Sequence, residues 1–423
     1  MTFALYTDRY ELTMLQAALR SGKARRQCVF EVFARHLPPG RRFGVVAGTG
    51  RVLEAITQFK FGEAELDYLR TAEIVDEPTL DYLADYRFQG QIEGYREGEL
   101  YFADSPVLSV TGSFADSVIL ETLILSILNY DSAIASAAAR MHAAAGERVL
   151  VEMGARRAHE EAAVAAARAA YIAGFSATSD LEAGRKWGVP TMGTSAHSFT
   201  LLHDSEKEAF TAQIESQGER TTLLVDTYDI SAAVALAVEI TGGKVAAVRI
   251  DSGDLGQVAI AVRKQLDELG AKDTKIVVTS DLDEYTIAAL AAAPVDRYGV
   301  GTSLVTGSGH PTAGFVYKLV AHSDGGEWVD VAKKSKDKAS RGGKKQAARE
   351  LEGGIAIAEQ VGAQPAGRVL QTLLWDGNLP IETHLGKSGV ETARDHHREA
   401  ISELPATALR LSKGEPAIPT LFV

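Results

Sequence analysis

Polar and ionisable side chains collect at the ends of short apolar runs in the middle of this chain. Seven runs lie between Val149 and Leu304, each leading into a helical stretch: VLVEMGARR (149–157), GFSATSD (174–180), VPTMGTSAHS (189–198), TLLVDTYD (222–229), VAAVRIDSGD (245–254), KIVVTSDLDE (275–284) and YGVGTSLVTG (298–307). Their ends carry Arg156, Arg157, His197, Asp226, Arg249, Asp251, Asp254, Asp281 and Thr302. Parallel α/β folds bind ligands at the carboxyl ends of their strands, so these residues mark a candidate active site.

His197 is the sharpest candidate for chemistry. It lies in GTSAHSF (193–199), beside Thr194 and two serines. An imidazole there could act as an acid or base, or accept a phosphoryl group. A hydrogen-bonded structural histidine is the alternative, and it is the more common case for a histidine taken alone. The six other polar strand ends favour the catalytic interpretation.

The segment RIDSGD (249–254) combines a cation with two carboxylates. The planar guanidinium of Arg249 suits a carboxylate or a phosphate. Asp251 and Asp254 suit Mg²⁺, which prefers oxygen ligands and bridges to substrate phosphates. Asp226 and Asp281 could complete a metal or ribose-hydroxyl site. The alternatives are a salt-bridged turn and aspartates that cap the following helices.

Three further segments are candidates for binding anions. The backbone N–H groups of YGVGTS (298–303) could hold a phosphate, although a Gly-x-Gly sequence alone is weak evidence. Arg156 and Arg157 are adjacent and point in different directions, so we expect one of them to enter the pocket. The lysine run between 333 and 345 is either a solvated loop or a lid over phosphate; its members are Lys333, Lys334, Lys336, Lys338, Lys344 and Lys345.

The alternation of strands and helices predicts how these residues are held. Seven strand-led units indicate an irregular (β/α) barrel over residues 116–334, and an open doubly wound sheet is the competing topology. Residues 1–115 and about 335–423 do not alternate in this way. Neither segment has a convincing core alone, so we predict that both chain ends form one α+β domain.

Bulk composition limits the possible partners. The chain has 423 residues, 46% of them hydrophobic, and a net charge of −12, which argues against a nucleic-acid surface. The apolar window 117–130 is interrupted by Glu121 and is shorter than the ~20 residues of a membrane span, so no membrane partner is expected. Cys28 is the only cysteine, and we see no signal peptide. These features predict a cytoplasmic protein.

With these residues identified, the chain resembles the nicotinate phosphoribosyltransferase family. The matching segments are TDRYELTM (7–14), FEVFARHLPPGRRFGVVAG (30–48), EMGARRA (152–158), GTSAHSF (193–199), DTYD (226–229), VRIDSGDL (248–255), YGVGTSLVTG (298–307) and the basic VAKKSKDKASRGGKK (331–345). The resemblance implies a type II phosphoribosyltransferase fold. It also implies a reaction that joins nicotinate to 5-phosphoribosyl 1-pyrophosphate and gives nicotinate mononucleotide and pyrophosphate for NAD biosynthesis.

The resemblance also implies roles for individual residues. ATP is a co-substrate, and its hydrolysis is coupled through transient phosphorylation of His197. Tyr10 stacks on the pyridine ring across the interface of a homodimer with shared active sites. Thr194 and Arg249 bind nicotinate, and Thr302 binds the phosphoribosyl donor. We add as candidate substrate-binding residues Arg156, Arg157, Asp226, Ser252, Gly299 and Gly301, and as candidate Mg²⁺ ligands Asp251, Asp254 and Asp281.

Three other functions compete with this one. A nicotinamide phosphoribosyltransferase of the same fold is the nearest, and the sequence does not distinguish the two substrates. A Mg²⁺-dependent barrel lyase or aldolase would need a lysine or a metal–carboxylate set at the strand ends, yet the only lysine near them, Lys275, begins a strand. A non-catalytic scaffold leaves the concentration of ionisable groups at the strand ends unexplained.

Overall fold

A computed structural model describes residues 2–334 and 340–423 of the chain. The chain folds into two compact units. The first unit comprises Met1–Ser136 and His310–Val423, and the second comprises Ala137–Gly309. The first unit therefore contains both chain ends.

The N-terminal segment begins with a helix that buries an apolar stripe. Helix α1 starts after Asp8, whose carboxylate accepts from the Tyr10 N–H at 3.2 Å, and it buries Leu12 and Leu15. The helices of this segment are α1 (Arg9–Arg20), α2 (Thr49–Thr57), α3 (Glu63–Thr71), α4 (Glu77–Ala84), α5 (Phe114–Val118) and α6 (Glu121–Ala145). Its strands are β1 (Gln27–Ala34), β2 (Gly44–Val45), β3 (Gln91–Tyr95), β4 (Leu100–Tyr101) and β5 (Leu108–Ser113).

The middle segment alternates strands and helices, as its sequence pattern predicts. Its strands are β6 (Val149–Glu152), β7 (Ala177–Thr178), β8 (Thr222–Leu224), β9 (Ala247–Ile250), β10 (Lys275–Val278) and β11 (Arg297–Val300). Its helices are α7 (Glu160–Ile172), α8 (Leu181–Trp187), α9 (His197–Leu202), α10 (Glu206–Gln217), α11 (Ile230–Thr241), α12 (Leu255–Glu268), α13 (Glu284–Ala289) and α14 (Thr302–Val305).

The regular elements of the C-terminal segment are strands, apart from one long helix and two short 3₁₀ turns in its described part. It contains β12 (Phe315–Asp324), β13 (Glu327–Asp330), β14 (Gln346–Glu352), β15 (Ile355–Gly362), β16 (Arg368–Val369), β17 (Gln371–Asp376), β18 (Leu379–Pro380), β19 (Thr420–Phe422) and helix α15 (Gly386–Ser402). Strands β12 and β13 pair antiparallel and form a hairpin around Asp324-Gly325-Gly326. Short 3₁₀ turns lie at Ala155–Arg157, Leu290–Ala292, Gly307–Gly309, Glu382–His384 and Ala406–Leu409.

An antiparallel sheet in the first unit joins the two chain ends. Its strand order is β13-β12-β1-β5-β3-β17-β18. Strand β12 pairs with β1, and in α6 the side chains of Leu123 and Ile124 lie in the same hydrophobic core as the sheet. The observed division therefore falls at 136/137 and 309/310 instead of the predicted boundaries near 116 and 334, because these flanking elements bury their apolar faces in the first unit.

The second unit contains a six-stranded sheet in which every pair is parallel. Its order is β7-β6-β11-β10-β9-β8, so the last strand of the segment pairs with the first. The predicted strand at residues 189–198 contributes only one bridge, between Thr178 and Thr191. Pro190 lacks an N–H donor and Gly193 weakens extended structure, which limits pairing there. Among the described residues no pair connects this bridge to β8, so the sheet is a half-barrel and a closed barrel is not observed.

Residues Phe114–Ala145 are long and apolar enough to cross a membrane by length and composition. However, 67% of the most apolar window is buried inside the protein. Packing in the core accounts for the apolar character of this stretch.

Candidate functional site

The carboxyl ends of β8, β9 and β10 bring polar side chains together in the second unit. Leu224 and Val277 are the register partners of Arg249 on either side. Asp226, Asp251 and Thr279 follow these three strands at equivalent positions, so parallel pairing carries them to the same edge of the sheet. Two hydrogen bonds join the three tips: Asp251 N–H donates to Asp226 Oδ2 at 2.9 Å, and the Thr279 hydroxyl donates to Asp251 Oδ1.

Arg249 is a half-buried cation at this edge. Its Nη1 donates to the Thr194 hydroxyl, whereas its buried Nε has no hydrogen-bond partner in the described part of the chain. Burial lowers the pKa of Arg249. The negative charges of Asp251 and Asp226 partly offset this effect, whereas the positive charge of Arg156 lowers the pKa further. A guanidinium stays protonated under these conditions, so a partly desolvated cation with a spare donor is available to an anionic ligand.

Asp226 is held rigidly from one side. Its Oδ2 accepts from the Asp251 N–H and from the Ser252 hydroxyl, the latter at 2.6 Å. The side chain is only 1% exposed. Its buried Oδ1 has no hydrogen-bond partner among residues 2–334 and 340–423. A buried carboxylate oxygen without a donor is costly, so this oxygen is a strong acceptor for a nearby proton donor.

His197 is the first residue of α9 and faces that oxygen. Its Nε2 lies 3.9 Å from Asp226 Oδ1 and 3.9 Å from Asp251 Oδ2. Its Nδ1 is 3.1 Å from the Thr227 hydroxyl. The Thr227 hydroxyl contacts one nitrogen of the ring, and the side chain is 40% exposed, so the ring is oriented on one side and still open to solvent. His197, Asp226, Arg249 and Asp251 therefore belong to one cluster, here called the strand-end cluster.

Sequence reasoning missed two hydroxyl residues of this cluster, Thr227 and Thr279. Each follows a predicted apolar run, in DTYD and VVTSD, as a threonine does in GTSAH. Both hydroxyls contact the side chains of sequence-predicted residues, so they belong to the machinery that orients the site.

Arg156 and Arg157 lie in the exposed 3₁₀ turn after β6. The charge of Arg156 contributes to lowering the pKa of Arg249, and within the described part of the chain Arg157 has no such effect on it. Buried Glu152 supports the turn, because its carboxylate accepts from the Gly154 N–H and the Thr178 hydroxyl. Burial raises the pKa of Glu152 despite these hydrogen bonds.

The predicted phosphate-binding segment forms the end of β11 and the start of α14. A Cβ on Gly299 would lie 2.6 Å from Met153 Sδ and 2.6 Å from Thr279 Cγ2, so glycine is required by close approach. Gly301 precedes the exposed Thr302, the first residue of the short helix. The structure therefore puts these residues at the carboxyl end of β11, on a strand adjacent to β10.

The three predicted Mg²⁺ ligands do not form a cluster. Asp254 caps α12 by accepting a hydrogen bond from the Gln257 N–H at 3.1 Å. Helix capping was the alternative to a metal-binding role for the aspartates of this region. Asp281 is exposed. Within residues 2–334 and 340–423, no group of three or more His, Cys, Asp or Glu side chains could hold a metal ion. Asp251 and Asp226 still fit a Mg²⁺ held by one or two carboxylates with waters and substrate phosphates.

Two predicted features lie in the first unit. Tyr10 lies on α1 and is 43% exposed. Partial burial raises the pKa of Tyr10, and so does Glu121, whose carboxylate accepts a hydrogen bond from the Tyr10 hydroxyl. In the basic run, Lys345 Nζ lies 2.7 Å from Glu31, and Lys344 pairs with Glu93. Lys336 and Lys338 lie outside the described residues, so the run as a whole stays a prediction.

Fold and site together define an α/β enzyme in which a cation, an imidazole and carboxylates meet at the ends of parallel strands. The family models for the nicotinate phosphoribosyltransferase N-terminal domain and the nicotinate phosphoribosyltransferase family match residues 5–129 and 149–365. The chain belongs to this family.

Individual relatives are similar over most of their length. The chain is 55% identical to a nicotinate phosphoribosyltransferase of Mycobacterium tuberculosis over 98% of this chain and 94% of that protein. It is 38% identical to one of Bacillus subtilis, with 82% and 73% covered. The crystal structure of human nicotinic acid phosphoribosyltransferase superimposes with a TM-score of 0.83 at 25% identity, covering 98% of this chain and 97% of that one.

Proposed function

We propose that this chain joins nicotinate to 5-phosphoribosyl 1-pyrophosphate, forming nicotinate mononucleotide and pyrophosphate for NAD biosynthesis. ATP hydrolysis is coupled to this reaction through phosphorylation of His197. The observation that carries the proposal is the strand-end cluster, in which the Arg249–Thr194 pair and the His197–Asp226–Asp251 group share one edge of a parallel sheet. Family membership supports the choice of substrates.

Arg249 binds the carboxylate of nicotinate in this proposal. The substrate is a planar pyridine with a carboxylate, and a guanidinium can bind a carboxylate through two parallel hydrogen bonds. Its Nε donor has no other partner among the described residues, and the Thr194 hydroxyl limits the movement of Nη1. Holding the carboxylate fixes the direction of the ring nitrogen, which attacks the ribose carbon.

The departure of pyrophosphate requires positive charge at the leaving group. Arg156 is exposed near Arg249 and can approach a phosphate, and the N–H groups after Gly301 offer further donors. Asp251 would hold Mg²⁺ together with the substrate phosphates, and the ion would neutralise the developing charge on the leaving group. Asp254 is not used for this purpose because it caps α12.

The proposal extends to features beyond the strand-end cluster. In this proposal the six-stranded sheet is an irregular barrel that stays open between Thr191 and β8. The open side lies next to the segment that carries His197. Two copies form a dimer in which Tyr10 of the partner subunit stacks on the pyridine ring, since its ring is exposed and its hydroxyl is held by Glu121. The proposed location is the cytoplasm.

The test uses purified protein with the phosphoribosyl donor and Mg²⁺, with nicotinate or nicotinamide, and with or without ATP. We expect product from nicotinate, a much lower rate with nicotinamide, and ATP consumption proportional to product. His197→Ala should abolish ATP coupling and leave slow uncoupled transfer. His159→Ala is the matched control, because that imidazole is 70% exposed on the same unit. An unchanged ratio of ATP to product in His197→Ala would overturn the role of His197, and a preference for nicotinamide would overturn the substrate.

A further inference from the structure

We propose that Glu152 is a positioning residue for the phosphate groups of the substrate. It holds the turn that carries Arg156 against the junction of β11 and α14, so that both segments bind the same phosphates. This inference rests on the proposed function, because the phosphates are those of 5-phosphoribosyl 1-pyrophosphate and of the pyrophosphate that leaves. Glu152 is the last residue of β6, which pairs with β11.

The Glu152 side chain joins two strand ends. It is 1% exposed, and its carboxylate accepts one hydrogen bond from the Gly154 N–H and another from the Thr178 hydroxyl. The backbone carbonyl of Glu152 also accepts from the Ser179 N–H at 2.8 Å. The Thr178 hydroxyl in turn accepts from the Asp180 N–H at 3.0 Å. One side chain therefore fixes the end of β7 and the start of the turn after β6 together.

The turn that starts at Gly154 packs closely on the junction of β11 and α14. A Cβ on Gly154 would overlap Val305 Cγ1 and would lie 3.0 Å from the Gly301 carbonyl oxygen. The two segments are thus in contact at the level of the backbone. Any displacement of the turn would therefore move Arg156 relative to the N–H groups that follow Gly301.

The Glu152 carboxyl group lies where an apolar side chain would bury more easily. Leu150 and Val151 are the other buried residues of β6. Burial raises the pKa of Glu152, its hydrogen bonds act in the opposite direction, and the charge of Asp180 raises the pKa further. A buried polar group is costly unless it forms hydrogen bonds, and so is a buried backbone N–H without an acceptor. The side chain therefore serves as a hydrogen-bond acceptor and not as a charge, so a neutral amide should replace it.

Three substitutions separate these properties. Glu152→Gln keeps an oxygen that can accept from the Gly154 N–H, and its NH₂ group can donate to the Thr178 hydroxyl. Glu152→Leu has a similar volume and leaves the Gly154 N–H without its acceptor. Gly154→Ala keeps the carboxylate and pushes the turn away from Gly301 and Val305.

The experiment measures the binding of pyrophosphate with Mg²⁺ by calorimetry, together with KM for the phosphoribosyl donor and KM for nicotinate. We expect Glu152→Leu and Gly154→Ala to weaken pyrophosphate binding and to raise KM for the donor about tenfold, as for the loss of one hydrogen bond, with KM for nicotinate unchanged. Glu152→Gln should bind pyrophosphate nearly as well as the wild type. Asp296→Leu is the matched control, because the Asp296 carboxylate accepts from the Ile276 N–H at 2.8 Å just before β11, at the opposite edge of the same sheet. It should lower stability without changing either KM.

A double-variant cycle tests whether Glu152 acts through the turn that carries Arg156. Arg156→Ala removes the cation that the turn positions. Adding Glu152→Leu to Arg156→Ala should weaken pyrophosphate binding little further, because both changes interrupt the same interaction. Fully additive losses would show that Glu152 does not act through Arg156 and would overturn the inference.

The remaining outcomes separate this inference from the proposed function. Wild-type affinity for pyrophosphate in Glu152→Leu would overturn the role of Glu152, and if that variant does not fold, the same result in Gly154→Ala would overturn it. An equal rise in both KM values would also overturn it, because the whole site would then be distorted. A wild type that binds pyrophosphate but transfers nothing to nicotinate would overturn the proposed substrate, and the affinities of the variants for pyrophosphate would still decide the role of Glu152.

Discussion

The first and second units each contain a cluster of acidic and basic side chains. The two clusters differ in whether their carboxylate oxygens all have hydrogen-bond partners. In the first unit, Glu99 and Glu359 meet Arg349, Arg368 and His396, here called the Glu99 cluster. In the second unit, the strand-end cluster contains the same kinds of groups. The comparison separates ionisable groups that hold a fold together from groups that await a ligand.

All four carboxylate oxygens of the Glu99 cluster are engaged. Glu99 Oε2 accepts from Arg368 at 2.9 Å and from His396 at 3.1 Å, and its Oε1 accepts from a backbone N–H. Glu359 accepts from Tyr95, Ser105 and Arg349. Burial acts to raise the pKa of Glu99, but His396, Arg349 and Arg368 outweigh it and hold that pKa well below its usual value. The carboxylates are thus neutralised from within the protein.

The strand-end cluster keeps an acceptor and a donor without internal partners. Asp226 Oδ1 and Arg249 Nε are buried and lack hydrogen bonds within the described ranges, and His197 is 40% exposed. Guanidinium nitrogens without partners occur in both clusters, so the open carboxylate oxygen beside an accessible imidazole is the distinguishing feature. A ligand that brings charges of its own would complete this cluster, whereas the Glu99 cluster is already complete.

The largest expected effect is on stability in the first unit. Glu99→Gln removes the charge that Arg349, Arg368 and His396 surround, and breaking a buried ion pair costs about 3–5 kcal/mol. We expect the free energy of unfolding to fall by about that amount in denaturant titrations, with kcat little changed at low temperature. Glu182→Gln removes an exposed carboxylate paired with Arg185 and should leave the unfolding midpoint unchanged. A loss of kcat without a loss of stability would break the comparison.

The next effect is on substrate binding in the second unit. Arg249→Lys keeps the charge and removes the two-pronged donor, and a charge-assisted hydrogen bond contributes roughly 1.5–3 kcal/mol, so KM for nicotinate should rise roughly 10- to 150-fold. Thermal stability should change little. The matched control is Arg185→Lys, whose side chain is 75% exposed. If KM for nicotinate stayed at the wild-type value, Arg249 would not be the carboxylate site.

The smallest effect is a difference in pH dependence. Because the pKa of Glu99 is lower when folded than its usual 4.5, its stabilisation is present above that value and is lost as pH falls below it. Burial raises the pKa of Glu152, so its contribution has the opposite sign and is lost as pH rises through the raised pKa. Denaturation midpoints measured across the acid range should lose part of their acid dependence in Glu99→Gln. In Glu152→Gln the acid dependence should steepen. Equal slopes in all three proteins would contradict both assignments.

Several elements of the fold were predictable because their signals are local. The helix after Asp8, the hairpin around Gly325 and the strands of the middle segment follow from caps, turns and apolar runs. The segment 189–198 was predicted as a strand and gives only one bridge. The division at 309/310 differs from the predicted boundary near 334, because the pairing of β12 with β1 is a long-range contact that no local pattern encodes.

The candidate site divides in the same way. His197, Asp226, Arg249 and Asp251 were predicted from residue type and strand-end position. Parallel pairing of β8 with β9 aligns Asp226, Arg249 and Asp251, whereas His197 approaches them from the start of α9. Asp254 was predicted as a metal ligand and instead caps α12, since one aspartate at a strand-to-helix turn can serve either role. Thr227 and Thr279 were missed because a hydroxyl gains a function only from the group it faces.

The sequence by itself determined the alternation of elements, the order of the polar tips and the family to which the chain belongs. These properties depend on neighbouring residues and on periodic patterns that are read along the chain. Only the tertiary structure decided which oxygen of Asp226 lacks a hydrogen-bond partner and which nitrogen of His197 contacts a hydroxyl. It also decided which aspartate caps a helix. Those outcomes depend on angstrom-scale distances between strands far apart in sequence, and register and packing set those distances.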